Sequence, residues 1–122
     1  MLIVRPVIDS GRMAYDVELG NRLREALARE PNVTEKVMFG GLAFMVNGNL
    51  AVSASSKGGI LLRVDPSDTA SLIENARAER FVMRGRAMEG WLRIDPDGLA
   101  TDDALKQWVS RGVSFARALP AK

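Results

Sequence analysis

The dipeptide Asn47-Gly48 constrains this sequence most. Both central residues of a type I′ turn need positive φ, and Asn-Gly meets that need at low cost. The pair stands between Leu42–Val46 and Leu50–Ala54, two apolar runs of strand length. It therefore predicts an antiparallel hairpin in the middle of the chain. Strand signals continue on both sides: Thr34–Phe39 is β-prone and runs into Gly40-Gly41, and Ile60–Val64 follows a turn at Ser55–Gly59. Three or four adjacent antiparallel strands are expected. Gly40, Gly41 and Gly48 are read as turn residues supplying positive φ. They feed strands, whereas a phosphate cradle needs a glycine loop feeding a helix.

Helical periodicity brackets this block. Leu19, Leu23, Ala26 and Leu27 make one stripe and predict a helix over Asp16–Arg29. Asp65 as cap and Pro66 at the first helical position open a short second helix with Leu72, Ile73 and Ala76 on its buried side. Phe81–Met83 and Gly90–Asp95 read as two further strands joined through Arg84–Glu89. Thr101 caps a last helix, Asp102–Leu119, whose stripe runs from Leu105 to Leu119 through Gly112. A glycine there costs about 1 kcal/mol relative to alanine, which a close approach of another backbone would explain. The order is helix, four strands, helix, two strands, helix. Strands cluster rather than alternate singly with helices, so the class is α+β: one antiparallel sheet of five to six strands with helices on one face. Residues 1–12 read as a separate, loosely ordered N-terminal extension, and 13–122 as a single domain. An edge strand from Leu2 to Ile8 is the alternative for the extension.

The sequence contains no cysteine and no histidine. Without thiols there is no disulfide, no thiolate nucleophile and no Cys-based zinc site. Without imidazole there is no Ser-His-Asp triad and no histidine metal ligand. No carboxylate pair stands out by spacing, so no catalytic residue, metal site or cofactor site is assigned, and a small-molecule-binding domain or enzyme is kept as an alternative. Asp95, Asp97, Asp102 and Asp103 read as turn and capping residues. No apolar run reaches the roughly 20 residues of a membrane helix, and a cytoplasmic protein is expected.

Seventeen Lys and Arg stand against fifteen Asp and Glu, a net charge of +2. The only basic cluster is Arg77, Arg80, Arg84, Arg86 and Arg93, interrupted by Glu79 and Glu89. It can be a solvated surface with internal ion pairs, a contact for an acidic protein, or a weak contact for nucleic acid. Met38, Phe39, Phe44 and Met45 alternate on strands, so one of each adjacent pair can form an adaptable apolar surface. The candidate partner-binding residues are Lys36, Met38, Phe39, Arg63, Arg84, Arg86 and Arg93, with Arg86 foremost. Trp91 and Trp108 are read as core, with an interface anchor as the alternative.

Five stretches resemble the N-terminal domain of the TfoX/Sxy competence-regulator family. They are Met13-Ala14-Tyr15-Asp16, the run Lys36-Val37-Met38-Phe39-Gly40-Gly41-Leu42-Ala43-Phe44-Met45-Val46-Asn47-Gly48-Asn49, Leu61-Leu62-Arg63-Val64-Asp65, Gly85-Arg86-Ala87-Met88-Glu89-Gly90-Trp91, and the Trp108 to Ala116 helix. The resemblance implies a small α+β fold and a bacterial cytoplasmic protein linked to control of DNA-uptake genes. It implies action on a transcription activator, not DNA reading alone. The family's regulators carry a second helical domain, for which 122 residues leave no room, so a stand-alone regulatory interaction domain is expected. A homodimer is a further possibility.

Overall fold

Asp16 starts the first helix as read: its carboxylate accepts from the Glu18 and Leu19 amides at 2.9 and 3.3 Å. The computed structural model describes residues 15–38, 40–75 and 77–122. The N-terminal extension, Phe39 and Ala76 lie outside the described residues. Helix α1 spans Val17–Ala26, with Leu27 as its C-cap. Strands β1 (Val33–Met38), β2 (Gly41–Val46), β3 (Asn49–Ala54) and β4 (Ile60–Arg63) follow. A turn of 3-10 helix at Pro66–Asp68 leads into α2 (Thr69–Asn75), and Asp65 caps it through the Ser67 amide. Strands β5 (Ala78–Met83) and β6 (Arg86–Ile94), a 3-10 turn at Pro96–Leu99 and α3 (Asp102–Ala118) complete the order.

The six strands form one antiparallel sheet in the order β1-β2-β3-β4-β6-β5. This is the predicted α+β class, and the element order agrees. Alternation along each strand divides the side chains between two faces. Leu42, Phe44, Val46, Val52, Leu62, Leu92 and Ile94 are buried on one face. Leu19, Leu23, Leu105, Trp108, Val109 and Val113 close over them from α1 and α3. Polar clasps fix the helices. Arg24 makes two bonds to Glu35 of β1, at 2.7 and 2.8 Å. Arg117 reaches Glu30 and the Pro31 carbonyl, both at 2.9 Å.

Three local readings are corrected. The two-residue turn Arg84-Gly85 joins β5 to β6 with φ of 54° and 77°, so the connection is a tight hairpin, not a loop over Arg84–Glu89. Gly40 and Gly48 have positive φ, but Gly41 does not; it is a strand residue whose Cβ would fall 2.3 Å from the Ala54 carbonyl oxygen. Trp108 is buried, whereas Trp91 is only half-buried and faces away from the helices.

Gly112 has the close neighbour that its place in a helix called for. A Cβ there would lie 2.6 Å from the Ala51 carbonyl oxygen and 2.8 Å from Leu62 Cδ1. Ala51 is the extra residue of a bulge, because Phe44 pairs with Val52 while Met45 pairs with Leu50. A second, larger bulge lies in β6: Arg80 pairs with Leu92 but Phe81 with Met88, leaving Glu89, Gly90 and Trp91 without β5 partners. Its amide at Gly90 donates to Thr69 Oγ1 at 2.8 Å, a fully buried hydroxyl at the start of α2. Bulges bend a strand and increase its twist, and these two sit on either side of the sheet's centre.

Candidate functional site

The face of the sheet turned away from α1 and α3 holds a groove of about 700 Å³. Its floor is set by residues that share strand parity. Ala43 faces Ser53, Ser53 faces Leu61, Leu61 faces Arg93, and Arg63 faces Trp91. Met45 and Leu50 continue the floor at one end. The β5–β6 hairpin supplies the far wall through Phe81, Met83 and Met88, and Met38 of β1 the near one. All six strands contribute. Lys57, Arg63, Arg84, Arg93 and Lys122 line the groove with no Asp or Glu among the lining residues.

The cations are not equivalent. Arg93 is occupied: it donates to the Gly58 and Lys57 carbonyls at 2.6 and 3.1 Å and sits 3.7 Å from Asp95 and 4.0 Å from Glu79. It clamps the β3–β4 turn to β6, which is a structural task. Arg63 is different. Its guanidinium lies 5.1 Å from the Trp91 ring centre and 5.5 Å from that of Phe115 on α3. Arg63 has no carboxylate partner among the described residues. Aromatic faces attract a guanidinium through their quadrupole and leave its N–H groups free to bond in the ring plane. The C-terminal residues close the groove at the Met45–Leu50 end: Lys122 N donates to the Asn47 carbonyl at 2.9 Å, and the buried Asn49 amide donates to the Pro120 carbonyl at 3.0 Å.

The arginine cluster read from the sequence is likewise divided. Arg80 pairs with Glu89, Arg77 with Asp97, and Arg93 as described. Arg84 and Arg86 have no ion pair among the described residues. Arg84 stands in the hairpin turn and Arg86 directly after it, next to Val82 and Met83, which are 58% and 39% exposed. Of the candidate residues, Met38, Arg63, Arg84 and Arg93 line the groove. Lys36 is exposed on β1 opposite Ala43, on the same face. Arg86 is exposed opposite Met83, beyond the groove lining. Phe39 lies outside the described residues.

The sequence reading missed Leu61, Phe81, Met88, Lys57 and Lys122 as groove residues, and Phe115 as a partner of Arg63. Strand alternation marks Leu61 and Arg63 as one face, but only the register joins them to Trp91. Chemically, the groove is an apolar trough with cationic edges. Its serines have no histidine or carboxylate beside them, and the described residues hold no cluster of three metal-ligating side chains.

A scan against protein-family models matches residues 25–116 to the TfoX N-terminal domain. The match covers about three quarters of the chain. The chain belongs to this family. The TfoX N-terminal domain match spans β1 through most of α3, so it takes in both bulges, Arg63 and the hairpin. Searches of curated proteins and of solved structures return no match. Among the described residues no helix is long and apolar enough to cross a membrane.

Proposed function

We propose that this TfoX-type domain is a non-catalytic interaction module of transcription regulation, and that it docks an acidic protein surface through the tip of the β5–β6 hairpin. The supporting observation is the sorting of the arginine cluster. Three of its five members are matched to carboxylates within the chain, and the two left over, Arg84 and Arg86, flank exposed Val82 and Met83. Unpaired arginines beside exposed apolar side chains have the composition that interface anchors favour. Lys36 on the opposite edge extends the positive rim. The same sorting argues against duplex DNA as the main partner, because most of the local positive charge is already neutralised.

The test uses the double variant Arg84→Asn/Arg86→Gln. Asn tolerates positive φ well, so the turn survives the loss of charge. Crosslinked partner capture from the source cell should recover a transcription component with the wild type and lose it with the variant at unchanged thermal midpoint. Equal recovery with both proteins, or no recovery, overturns the reading. Gel shifts on duplex DNA at low salt serve as the counter-test. With two free arginines log affinity should fall against log salt with a slope no steeper than about −1.8. A steeper slope with tight binding would make DNA the partner.

A further inference from the structure

We propose that the groove itself binds a single-chain anionic amphiphile, with its acid head on Arg63 and its hydrocarbon chain along the Met45–Leu50–Leu61 floor. This goes beyond the hairpin-tip reading, with which it shares Arg84 alone, at the groove's edge.

Shape selects the chain. The groove touches all six strands, and neighbouring strands lie about 4.8 Å apart, so it crosses about 24 Å of sheet. A compact ligand would leave much of that length unfilled. A long, thin occupant fits. An extended peptide has that shape, but it brings polar amides. The strands of the floor, β2, β3, β4 and β6, each have partners on both sides, so their backbone groups are turned to one another and offer a peptide no ladder. Amides laid on this floor would lose water without compensation. A hydrocarbon chain has no such groups, and methionines adapt to its path.

Charge selects the head. Arg63, Lys57 and Arg84 line the trough and no Asp or Glu side chain does, so an anion is favoured over a cation. Among them Arg63 is held in place, between Trp91 and Phe115. A guanidinium with an open fork binds a carboxylate or phosphate through two parallel bonds. Headgroups of either kind share that chemistry.

The probe is dodecanoate below its micellar concentration, added to the full chain and followed by calorimetry and tryptophan fluorescence, to which half-buried Trp91 reports. Saturable binding is expected, at least about tenfold tighter than for dodecyltrimethylammonium, because the trough's edge charge changes from attractive to repulsive. Dodecyl phosphate run in parallel distinguishes the two headgroups. Arg63→Gln should weaken binding by about tenfold or more, and Arg63→Lys by less, since it keeps charge but loses the fork. Leu61→Asp, on the floor, should abolish binding at an unchanged thermal midpoint. It keeps the test decisive if Arg63→Gln proves unstable. The proposal is overturned by absence of saturation, by equal binding of the cationic amphiphile, by indifference to both variants, or by a short acidic-apolar peptide that binds more tightly than dodecanoate. Neither Arg63 nor Leu61 belongs to the hairpin tip, so such a failure leaves partner docking at Arg84 and Arg86 standing.

Discussion

Adjacent residues in this chain have unlike roles, and Phe44 and Met45 show it most sharply. Phe44 is 1% exposed in the core, while Met45 is half-buried on the groove floor. Truncating a buried phenylalanine costs about 3–5 kcal/mol through lost burial and the cavity left behind. Phe44→Ala should therefore remove a large part of the 5–15 kcal/mol typical of a domain. Met45→Ala should cost less than about 1 kcal/mol, because its side chain already meets solvent. Urea unfolding of both variants checks this, and similar losses would mean that the two faces are wrongly assigned. That one member of the pair is exposed could be read from strand alternation. Which one could not, because the choice depends on where α1 and α3 lie. Arg63 was legible as a surface cation on a strand. Its placement between two rings was not, since Phe115 comes from a helix far along the chain and Trp91 meets it only through the β4–β6 register. Arg84 illustrates the opposite case: its positive φ closes a tight hairpin, and no residue preference would choose arginine for that position.

At the level of elements, the helices and the β2–β3 hairpin follow from local chemistry. Asp16, Asp65 and Thr101 cap where capping residues are expected, and Asn47-Gly48 turns where it should. The bulges were invisible because they arise from packing between elements. One is held by Thr69, the other is pressed against Gly112. That contact makes a prediction whose sign runs against helix propensity. Alanine is worth about 1 kcal/mol more than glycine inside a helix, so an isolated helix would gain from Gly112→Ala. Here the added methyl meets the Ala51 carbonyl oxygen at 2.6 Å and Leu62 at 2.8 Å. Backbone in a sheet gives way poorly, and overpacking of this kind costs about 1–3 kcal/mol. The variant should therefore be net destabilised and should unfold at lower urea. A stabilised variant would show that α3 can lift from β3 without penalty. Because Ala51 lies between the two groove residues of β3, Leu50 and Ser53, the same substitution should also perturb binding at the floor, an effect that a surface helix change would not produce.

For the molecule as a whole, the absence of histidine and cysteine governs how stability responds to pH. No side chain has an ordinary pKa between about 5 and 8, so the unfolding free energy should be nearly flat across that range. The acid side differs. The Arg24 side chain, through its two hydrogen bonds, holds the Glu35 carboxyl below its ordinary value, against a smaller opposing effect of burial. Arg24 is correspondingly raised, chiefly by the same bond. The sign follows from linkage: a carboxyl depressed in the folded state adds stability above its unfolded pKa, about 4.3 for Glu, and loses it as pH falls through the lower folded value. Asp65, held down by the Ser67 amide and hydroxyl, acts in the same direction. Both partners of the Arg24–Glu35 pair are partly exposed, so solvent screening limits the pair to about 1 kcal/mol or less. Glu35→Gln should accordingly lower the thermal midpoint at pH 7 by no more than about 4 °C. The gap between variant and wild type should close as the pH approaches 3, while both profiles stay level from pH 6 to 8. A gap that persists at pH 3 would mean that Glu35 stabilises β1 against α1 by packing, and that the charge of its bond to Arg24 contributes little.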